Sequence, residues 1–172
     1  ISIPKRNKDS RPLFVIARSF DINKPCTIPE KLHGAVLGGT LKQGILKIGD
    51  IIEIKPGRIV KEANQFRYET IKTKIDSFYL GSKKVDILTP GGSASIETEL
   101  DMSLGKADAL AGNVASLEGK LLDVTFSVKL KFKLFPEIFG TAGNYKVENI
   151  KTSELLMISV NTSISGGVVK SV

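Results

Sequence analysis

The sequence predicts an all-β protein made of barrels, and three features support that fold class. Sixteen glycines and seven prolines divide the 172 residues into short apolar segments. No segment carries the 3.6-residue apolar period of a long amphipathic helix. Residues 124–134 alternate apolar and polar side chains without interruption. Short alternating segments separated by turn residues are typical of antiparallel barrels.

The first third of the chain contains several of the predicted strands. An apolar run at 13–17 predicts a buried strand, and the two prolines and polar residues of 21–31 predict a long loop. Glycines interrupt the apolar stretches of 34–55. Within that region, Gly49-Asp50 predicts a turn into a strand at 51–55.

The middle of the chain is predicted to alternate loops with strands. Pro56-Gly57 is expected to end the preceding strand, and the polar residues 58–69 are expected to form a second long loop. Apolar residues within 71–78 mark another strand region. A sharp turn is predicted at 90–92, where a proline precedes two glycines.

The last third of the chain carries the clearest strand pattern. One helical turn with an aspartate cap is predicted within 101–110. Residues 124–134 place six apolar side chains on one face of a strand and three lysines on the other. Another strand is predicted at 155–160, and a glycine-rich turn at 165–167 is predicted to lead into a final strand that reaches Val172.

These elements predict two barrels of unequal length. Residues 1–10 have the polar, charged composition of a linker or entry arm, and residues 11–120 hold enough strands for one whole barrel. Residues 121–172 are few for a closed barrel, so they are expected to form only the start of a second one.

Composition excludes several classes of protein. No apolar run is long enough to span a bilayer, and the polar first residues do not resemble a secretion signal. The single cysteine, Cys26, excludes a disulfide framework and a cysteine-based zinc site, and it fits a chain in the reducing cytoplasm. The single histidine, His33, leaves little room for catalysis or metal binding centred on histidine.

The positive charge is concentrated in the first half. The formal net charge is +7, and residues 1–86 hold 17 basic and nine acidic residues. Residues 87–172 hold eight basic and nine acidic residues. A basic half predicts a polyanionic neighbour, either RNA or an acidic protein, although such charge also serves solubility alone.

Motifs for catalysis are weak. The glycine-rich segment 38–44 lacks the Gly-Lys-Ser/Thr of a phosphate-binding loop. Cys26 and His33 form a conceivable thiol–imidazole pair, but a loop cysteine and a packing histidine are the simpler interpretation. Glu97, Glu99 and Asp101 would share one strand face, which fits either a divalent-metal patch or, more simply, a solvated or partner-binding face.

Basic residues interleaved with aromatics are more suggestive. Lys129, Lys131 and Lys133 form a stripe that fits phosphate contacts, solubility or edge protection. Aromatic residues in the basic part of the first predicted barrel could stack on bases, although core packing is the simpler role for each phenylalanine taken singly. The aromatic residues in question are Phe66, Tyr68, Phe78 and Tyr79.

The order of several motifs resembles one known family across nearly the whole chain. The most specific motif is R-S-F-D-I-N-K-P at 18–25, and L-H-G-A-V-L-G-G-T-L-K-Q-G-I-L-K-I-G-D-I-I-E-I-K-P-G follows at 32–57. Further matching motifs are P-G-G-S at 90–93, T-E-L-D at 98–101, K-A-D-A-L-A-G-N-V at 106–114, S-E-L-L-M-I-S-V-N at 153–161 and S-G-G-V-V-K-S-V at 165–172. Together they resemble the gamma subunit of translation initiation factor 2 of eukaryotes and archaea.

The resemblance implies a fold and a set of partners. Residues 11–120 would form a translation-factor β-barrel like domain II of elongation factor Tu, followed by the start of a domain III-like β-barrel. The intact factor would carry methionyl initiator tRNA to the small ribosomal subunit and would bind the alpha and beta subunits. GTP and Mg²⁺ would be held by a G domain that this sequence does not contain, so no catalytic residue is expected here.

The resemblance also implies a binding site for the 3′ end of the tRNA. By similarity to elongation factor Tu, the terminal adenosine pocket would fall near Val36, Asp76, Phe78 and Ser95. An apolar wall and an aromatic ring would contact the base, and the two polar side chains would accept hydrogen bonds.

Two alternatives remain beside this interpretation. The chain could be the corresponding barrels of another translational GTPase, an elongation or selenocysteine-specific factor, although the segment at 18–25 argues against it. A metal-dependent or thiol enzyme that uses Glu97, Glu99, Asp101 or Cys26 is the alternative from a different functional class.

Overall fold

The computed structural model describes residues 5–62, 65–138, 140, 143 and 145–172. Within them nearly all regular structure is β-strand, which confirms the all-β prediction. The elements are β1 (Leu13–Phe20), β2 (Val36–Gln43), β3 (Leu46–Lys47), β4 (Ile51–Glu62), β5 (Gln65–Leu80), β6 (Lys83–Val85), β7 (Ile87–Leu88), β8 (Ala94–Thr98), α1 (Met102–Gly105), β9 (Val114–Leu117), β10 (Leu155–Val160) and β11 (Ser163–Val168).

The chain divides into two compact units. The first extends to Val124 and includes Asn161–Ser163, and the second holds the remaining residues from Thr125 to Val172.

Six antiparallel strands of the first unit close into a barrel. Their order is β4-β9-β1-β2-β8-β5, and β5 pairs back onto β4 to complete the ring. Period-two alternation turns one face of each strand inward, as in β5, where Ile71 and Ile75 are buried and Lys72 and Lys74 are exposed. The fully buried large side chains are Phe14, Ile16, Leu37, Leu41, Leu46, Ile52, Ile54, Ile75, Phe78, Leu88, Ile96 and Leu110.

Several local predictions are confirmed. A strand contains residues 13–17, and the segment 21–31 is a loop with one 3-10 turn at Pro29–Lys31. The Gly49-Asp50 turn leads into β4, and Gly49 adopts a φ of 87° that suits glycine. Asp101 caps α1, because its Oδ1 accepts a hydrogen bond of 2.8 Å from the backbone N–H of Ser103.

The predicted loop at 58–69 is wrong. Residues 58–62 continue β4 and residues 65–69 begin β5, and the two segments pair in register, whereas 63–64 lie outside the described residues. Pro56-Gly57 does not end the strand because it lies at a register shift between Ile54 and Arg58, where a bulge absorbs it. The Gly57 N–H donates to Oδ1 of Asn113 at 2.7 Å, so the bulge leaves that donor satisfied.

The prediction of a strand at 124–134 is also wrong. The structure assigns no regular strand there, and the expected inner face is solvent-exposed, with Phe126 84% and Val128 64% accessible. No neighbouring strand pairs with these residues in the described part of the chain, so alternation alone does not produce a ladder.

The end of the second unit contains a hairpin. Residues 155–160 form β10 as predicted, and β10 pairs with β11. The predicted turn at 165–167 is wrong, because those residues lie inside β11 and the last four residues carry no strand. The chain reverses just before β11 instead, where Asn161 takes a φ of 54°.

The described residues include few helical segments, and all of them are short. None of the helices found there is long and apolar enough to cross a bilayer.

Candidate functional site

Five neighbouring strands of the first unit present one row of side chains on the outside of the barrel. Strand register aligns Arg18 with Gly38, Gly38 with Ser95, Ser95 with Tyr79, and Tyr79 with Lys84. Directly opposed residues in antiparallel strands share a face, so these five residues form one continuous surface, called here the outer platform. Gly38 leaves its backbone uncovered, Ser95 carries a hydroxyl group and Tyr79 an aromatic ring. The cations Arg18 and Lys84 lie at the two ends.

The adjacent row points to the opposite face and forms core. Leu37 lies opposite Ile96, which lies opposite Phe78, and all three are fully buried. Of the four residues predicted to bind the tRNA 3′ end, Phe78 is therefore inside the barrel. Its neighbour Tyr79 is the aromatic residue on the platform.

The other three predicted site residues are divided between two surfaces. Ser95 is half-buried on the platform, and Val36 lies on the same face in the next row but is only 5% exposed. Asp76 is exposed at a register shift in β5 and lines a neighbouring cleft. The structure thus brings Val36 and Ser95 to one face, and places Asp76 beside that face.

Sequence reasoning named Tyr79 only as one of four aromatic residues that could stack on bases, and it missed Gly38, Arg18 and Lys84 as members of this surface. The alternation of polar and apolar residues in β5 and β8 assigns faces within each strand. It does not reveal that these strands are neighbours of β2, because they lie far apart in sequence. Only the strand order and register supply that information.

A buried carboxylate anchors the row next to the platform. Glu97 is 7% exposed, and its Oε2 accepts a hydrogen bond of 2.7 Å from the Ser77 hydroxyl, while its Oε1 pairs with Nδ1 of His33. Burial acts to raise the pKa of Glu97, but the bonds from Ser77 and His33 outweigh it and hold the pKa below its usual value. Glu97 is therefore ionised, and its two oxygens link the loop that carries His33 to Ser77 of the barrel.

A shallow cleft of about 490 Å³ borders this carboxylate. It is lined by the loop residues before β2, by the β5 register shift and by the segment between β8 and α1. Its lining residues are Leu32, His33, Gly34, Asp76, Glu97, Thr98, Glu99, Leu100, Asp101 and Met102.

The three carboxylates predicted to share a strand face do not form a metal site. Glu97 binds Ser77 and His33, Glu99 accepts a bond of 2.7 Å from the Lys74 ammonium, and Asp101 caps α1. No group of three or more histidine, cysteine, aspartate or glutamate side chains among the described residues is placed to hold a metal ion. The metal-patch interpretation is not supported.

The thiol–imidazole hypothesis does not match the geometry either. The His33 imidazole is engaged with Glu97, and Cys26 is exposed in the loop at a φ of 66°. No hydrogen bond joins Cys26 to His33 in the described part of the chain, and no carboxylate or amide orients the thiol.

The first residues of the R-S-F-D-I-N motif bind the segment that contains Asp108 and Leu110. Arg18 Nε lies 2.8 Å and 2.9 Å from the two carboxylate oxygens of Asp108, and Ser19 N–H also donates to that carboxylate. These bonds hold the pKa of Asp108 below its usual value, and they raise the pKa of Arg18. The Ser19 hydroxyl in turn accepts a 3.0 Å bond from the N–H of Leu110.

Asn23, later in the same motif, binds the backbone of His33. Its side chain brackets the His33 backbone, since Oδ1 accepts from the His33 N–H and Nδ2 donates to the His33 carbonyl, each at 2.7 Å. Asp21 Oδ1 accepts from both the N–H and Nδ2 of Asn23, which lowers the pKa of Asp21. Asn23, oriented by Asp21, therefore positions the His33 backbone at the edge of the cleft.

Comparisons with known proteins identify the origin of these motifs. The profile of the family described as "Initiation factor eIF2 gamma, C terminal" matches residues 126–172. A protein of Pyrococcus horikoshii named translation initiation factor 2 subunit gamma is 44% identical over 169 residues, covering 98% of this chain and 41% of that protein. The chain belongs to the gamma-subunit family of translation initiation factor 2.

Other members of the family show the same extent of similarity. The gamma subunit of Archaeoglobus fulgidus is 44% identical over 171 residues, covering 99% of this chain and 40% of that protein. The gamma subunit of Methanococcus vannielii is 42% identical over 168 residues, covering 98% of this chain and 41% of that protein. The chain spans about two fifths of the length of the relatives it matches. The outer platform and the cleft both lie on the six-stranded barrel of the first unit.

Proposed function

We propose that this chain is the non-catalytic barrel portion of an initiation factor 2 gamma subunit, and that in the intact factor it helps to bind methionyl initiator tRNA. The observation that carries the proposal is the 44% identity to gamma subunits over 98% of the chain. The basic first half and the outer platform support it, because an RNA end needs cations for phosphates and a flat surface for a base.

The outer platform is the proposed binding site for the tRNA 3′ end. Gly38 leaves the β2 backbone open there, since a Cβ at this position would lie 3.5 Å from Arg18 Cβ and 3.7 Å from Phe20 Cε1. Tyr79 offers a ring to a base, Ser95 offers a hydroxyl, and Lys84 offers a cation to a phosphate. Val36 and Asp76 border this surface, and Phe78 supports it from inside the barrel.

The remaining partners follow from the family. The alpha subunit is proposed to dock on the first barrel through its C-terminal part, and the beta subunit and the small ribosomal subunit are partners of the assembled factor. GTP and Mg²⁺ are proposed to bind a G domain in the longer factor. The cytoplasm, where initiation takes place, is the proposed location.

The alpha-subunit proposal is tested by a pull-down of the 172-residue chain with the isolated C-terminal domain of the alpha subunit. Retention of the chain in equimolar amount is expected. A barrel with native circular dichroism that fails to bind would overturn the docking proposal.

The platform proposal is tested by NMR titration of the chain with a methionyl ester of adenosine. Amide shifts are expected at Gly38, Tyr79 and Ser95, and Gly38→Val is expected to abolish them because the added side chain covers the backbone there. Thr40→Val, further along β2, is the matched control. Shifts that survive in Gly38→Val, or that appear only at the cleft, would contradict the platform assignment.

A further inference from the structure

The long hairpin of β4 and β5 extends beyond the barrel. Pairing of β4 with β9 ends at Lys55, and pairing of β5 with β8 begins at Ile75. Residues 58–62 and 65–69 pair only with each other in the described sheet, and they form what is called here the ribbon. None of its described residues is buried, so the ribbon contributes little to the barrel core.

Strand register divides the ribbon into two chemically different faces. Ile59 lies opposite Tyr68, and Lys61 lies opposite Phe66, so these four side chains share one face. Both carboxylates of the ribbon lie on the other face, where Glu69 accepts a 2.7 Å bond from Arg58 Nε and Glu62 accepts a 3.2 Å bond from Arg67.

The first face is apolar, aromatic and cationic. Phe66 is 70% exposed, Ile59 62% and Tyr68 43%. Lys61 places its ammonium 5.8 Å from the centre of the Phe66 ring, within the range of a cation–π contact. No carboxylate of the ribbon neutralises this face, whereas the two arginines on the opposite face are each paired with a glutamate.

The spacing of the two aromatic rings fits stacked bases. Phe66 and Tyr68 are two residues apart on one extended strand, so their side chains project from the same face about 6.6 Å apart. Exposed rings on a β surface beside a cation that no carboxylate pairs with commonly bind unpaired bases and their phosphates. A protein partner would also cover apolar rings, but the one-sided excess of positive charge favours a polyanion.

From these observations we infer that the aromatic face of the ribbon binds unpaired RNA. This site is separate from the outer platform, and it does not require the proposed contact with the tRNA 3′ end. Phe66 and Tyr68 stack on bases, Lys61 contacts the phosphate backbone, and Ile59 covers the apolar edge of a base.

The test measures binding of a fluorescent twelve-nucleotide oligouridine to the 172-residue chain at low salt by anisotropy. Phe66→Thr combined with Tyr68→Thr keeps β-forming residues in the ribbon and removes both rings. This double variant is expected to weaken binding by at least about tenfold, because each stacked base is lost. Val60→Thr, on the opposite face, is the matched control and is expected to bind as the native chain does.

A second pair of variants tests the sidedness of the charge. Lys61→Gln and Arg67→Gln each remove one positive charge from the same ribbon, but from opposite faces. Lys61→Gln is expected to weaken binding about threefold to fivefold at low salt, and Arg67→Gln is expected to have a clearly smaller effect. Equal losses in the two variants would show non-specific attraction and would overturn the inference.

Three further observations test whether the aromatic face of the ribbon binds RNA. Ring resonances of Phe66 and Tyr68 are expected to shift on RNA addition. Absence of binding by the native chain, or binding that survives loss of both rings, would overturn the inference. Loss of alpha-subunit retention in the double variant, with oligouridine binding intact, would assign the face to a protein and overturn it as well.

Discussion

Strand β5 and the segment 124–134 carry the same sequence pattern and have different structures. Both alternate apolar or small side chains with polar ones, and the polar face carries two lysines in β5, Lys72 and Lys74, and three in 124–134. In β5 the inward residues are buried, because β4, β8 and β6 pair with it and the barrel encloses one face. In 124–134 no strand pairs in the described chain, and Phe126 and Leu130 remain 84% and 58% exposed.

The comparison teaches that alternation is a condition for a strand rather than a cause of one. A single extended segment leaves its backbone N–H and C=O groups to water, and it gains little from an apolar face that has nothing to contact. The neighbours decide whether the pattern becomes a strand. Four predictions test this dependence on neighbouring contacts, in order of decreasing effect, each with a control variant.

The largest effect is expected from truncating an apolar ring in each region. Phe78→Ala removes a fully buried ring from the barrel and is expected to lower the free energy of unfolding by about 3–5 kcal/mol. Phe126→Ala removes an 84% exposed ring and is expected to change it by less than about 0.5 kcal/mol. Urea denaturation measures both, and similar losses would show that 124–134 packs in a core.

The next effect concerns the bulge that lets β4 continue past Pro56. Gly57 has a φ of 84°, and a Cβ there would lie 1.9 Å from the Glu69 carbonyl oxygen. Gly57→Ala is therefore expected to destabilise the chain by about 3 kcal/mol in urea denaturation, through backbone strain and the clash. Gly81→Ala, at a φ of 64° with open space around it, isolates the strain and is expected to cost about 1 kcal/mol. Equal losses would remove the clash from the explanation.

A smaller effect is expected at the loop beside the cleft. Asn23→Ala removes both side-chain bonds to the His33 backbone, and it is expected to lower stability by about 2 kcal/mol. Hydrogen exchange at the His33 amide is expected to accelerate at the same time. Asn161→Ala in the turn before β11 is the control, and unchanged exchange at His33 in Asn23→Ala would refute the anchoring role.

The smallest effect is the acid dependence of stability. Because the folded pKa of Asp108 is lowered, its stabilisation is complete above the unfolded pKa and is lost as the pH falls through the folded pKa. Asp108→Asn still accepts hydrogen bonds but does not titrate, so its stability is expected to fall less steeply on acidification. Thermal unfolding from neutral to acid pH measures the slope. Glu30→Gln, on the 3-10 turn, controls for the loss of one negative charge, and a slope in Asp108→Asn equal to the native one would contradict the assignment.

Much of the first barrel could be predicted from the sequence because short local patterns mark its strands and turns. The apolar run at 13–17, the Gly49-Asp50 turn and the Asp101 cap depend on neighbouring residues alone, and all three are confirmed. Polar composition misled the prediction for 58–69, because strands exposed on both faces carry the residues expected of a loop.

The candidate site was predicted less well, for a related reason. Ser95 was placed by family resemblance on a surface where the structure also finds Val36, but Phe78 was one residue away from the half-buried ring of Tyr79 on the outer face. In a strand, a shift of one residue exchanges the inside and the outside of the barrel. No local pattern distinguishes the two faces until the neighbouring strand is known.

The sequence by itself determined the β class of this protein, the extra positive charge of its first half and, through its motifs, the gamma-subunit family. Those properties reside in composition and in short-range order. Only the tertiary structure decided which strands adjoin, that the ribbon separates its carboxylates from its aromatic rings, and that Arg18 and Lys84 end one platform. These arrangements bring together residues that are far apart in the chain. They depend on which strands pair when the barrel closes, and no local pattern in the sequence specifies that pairing.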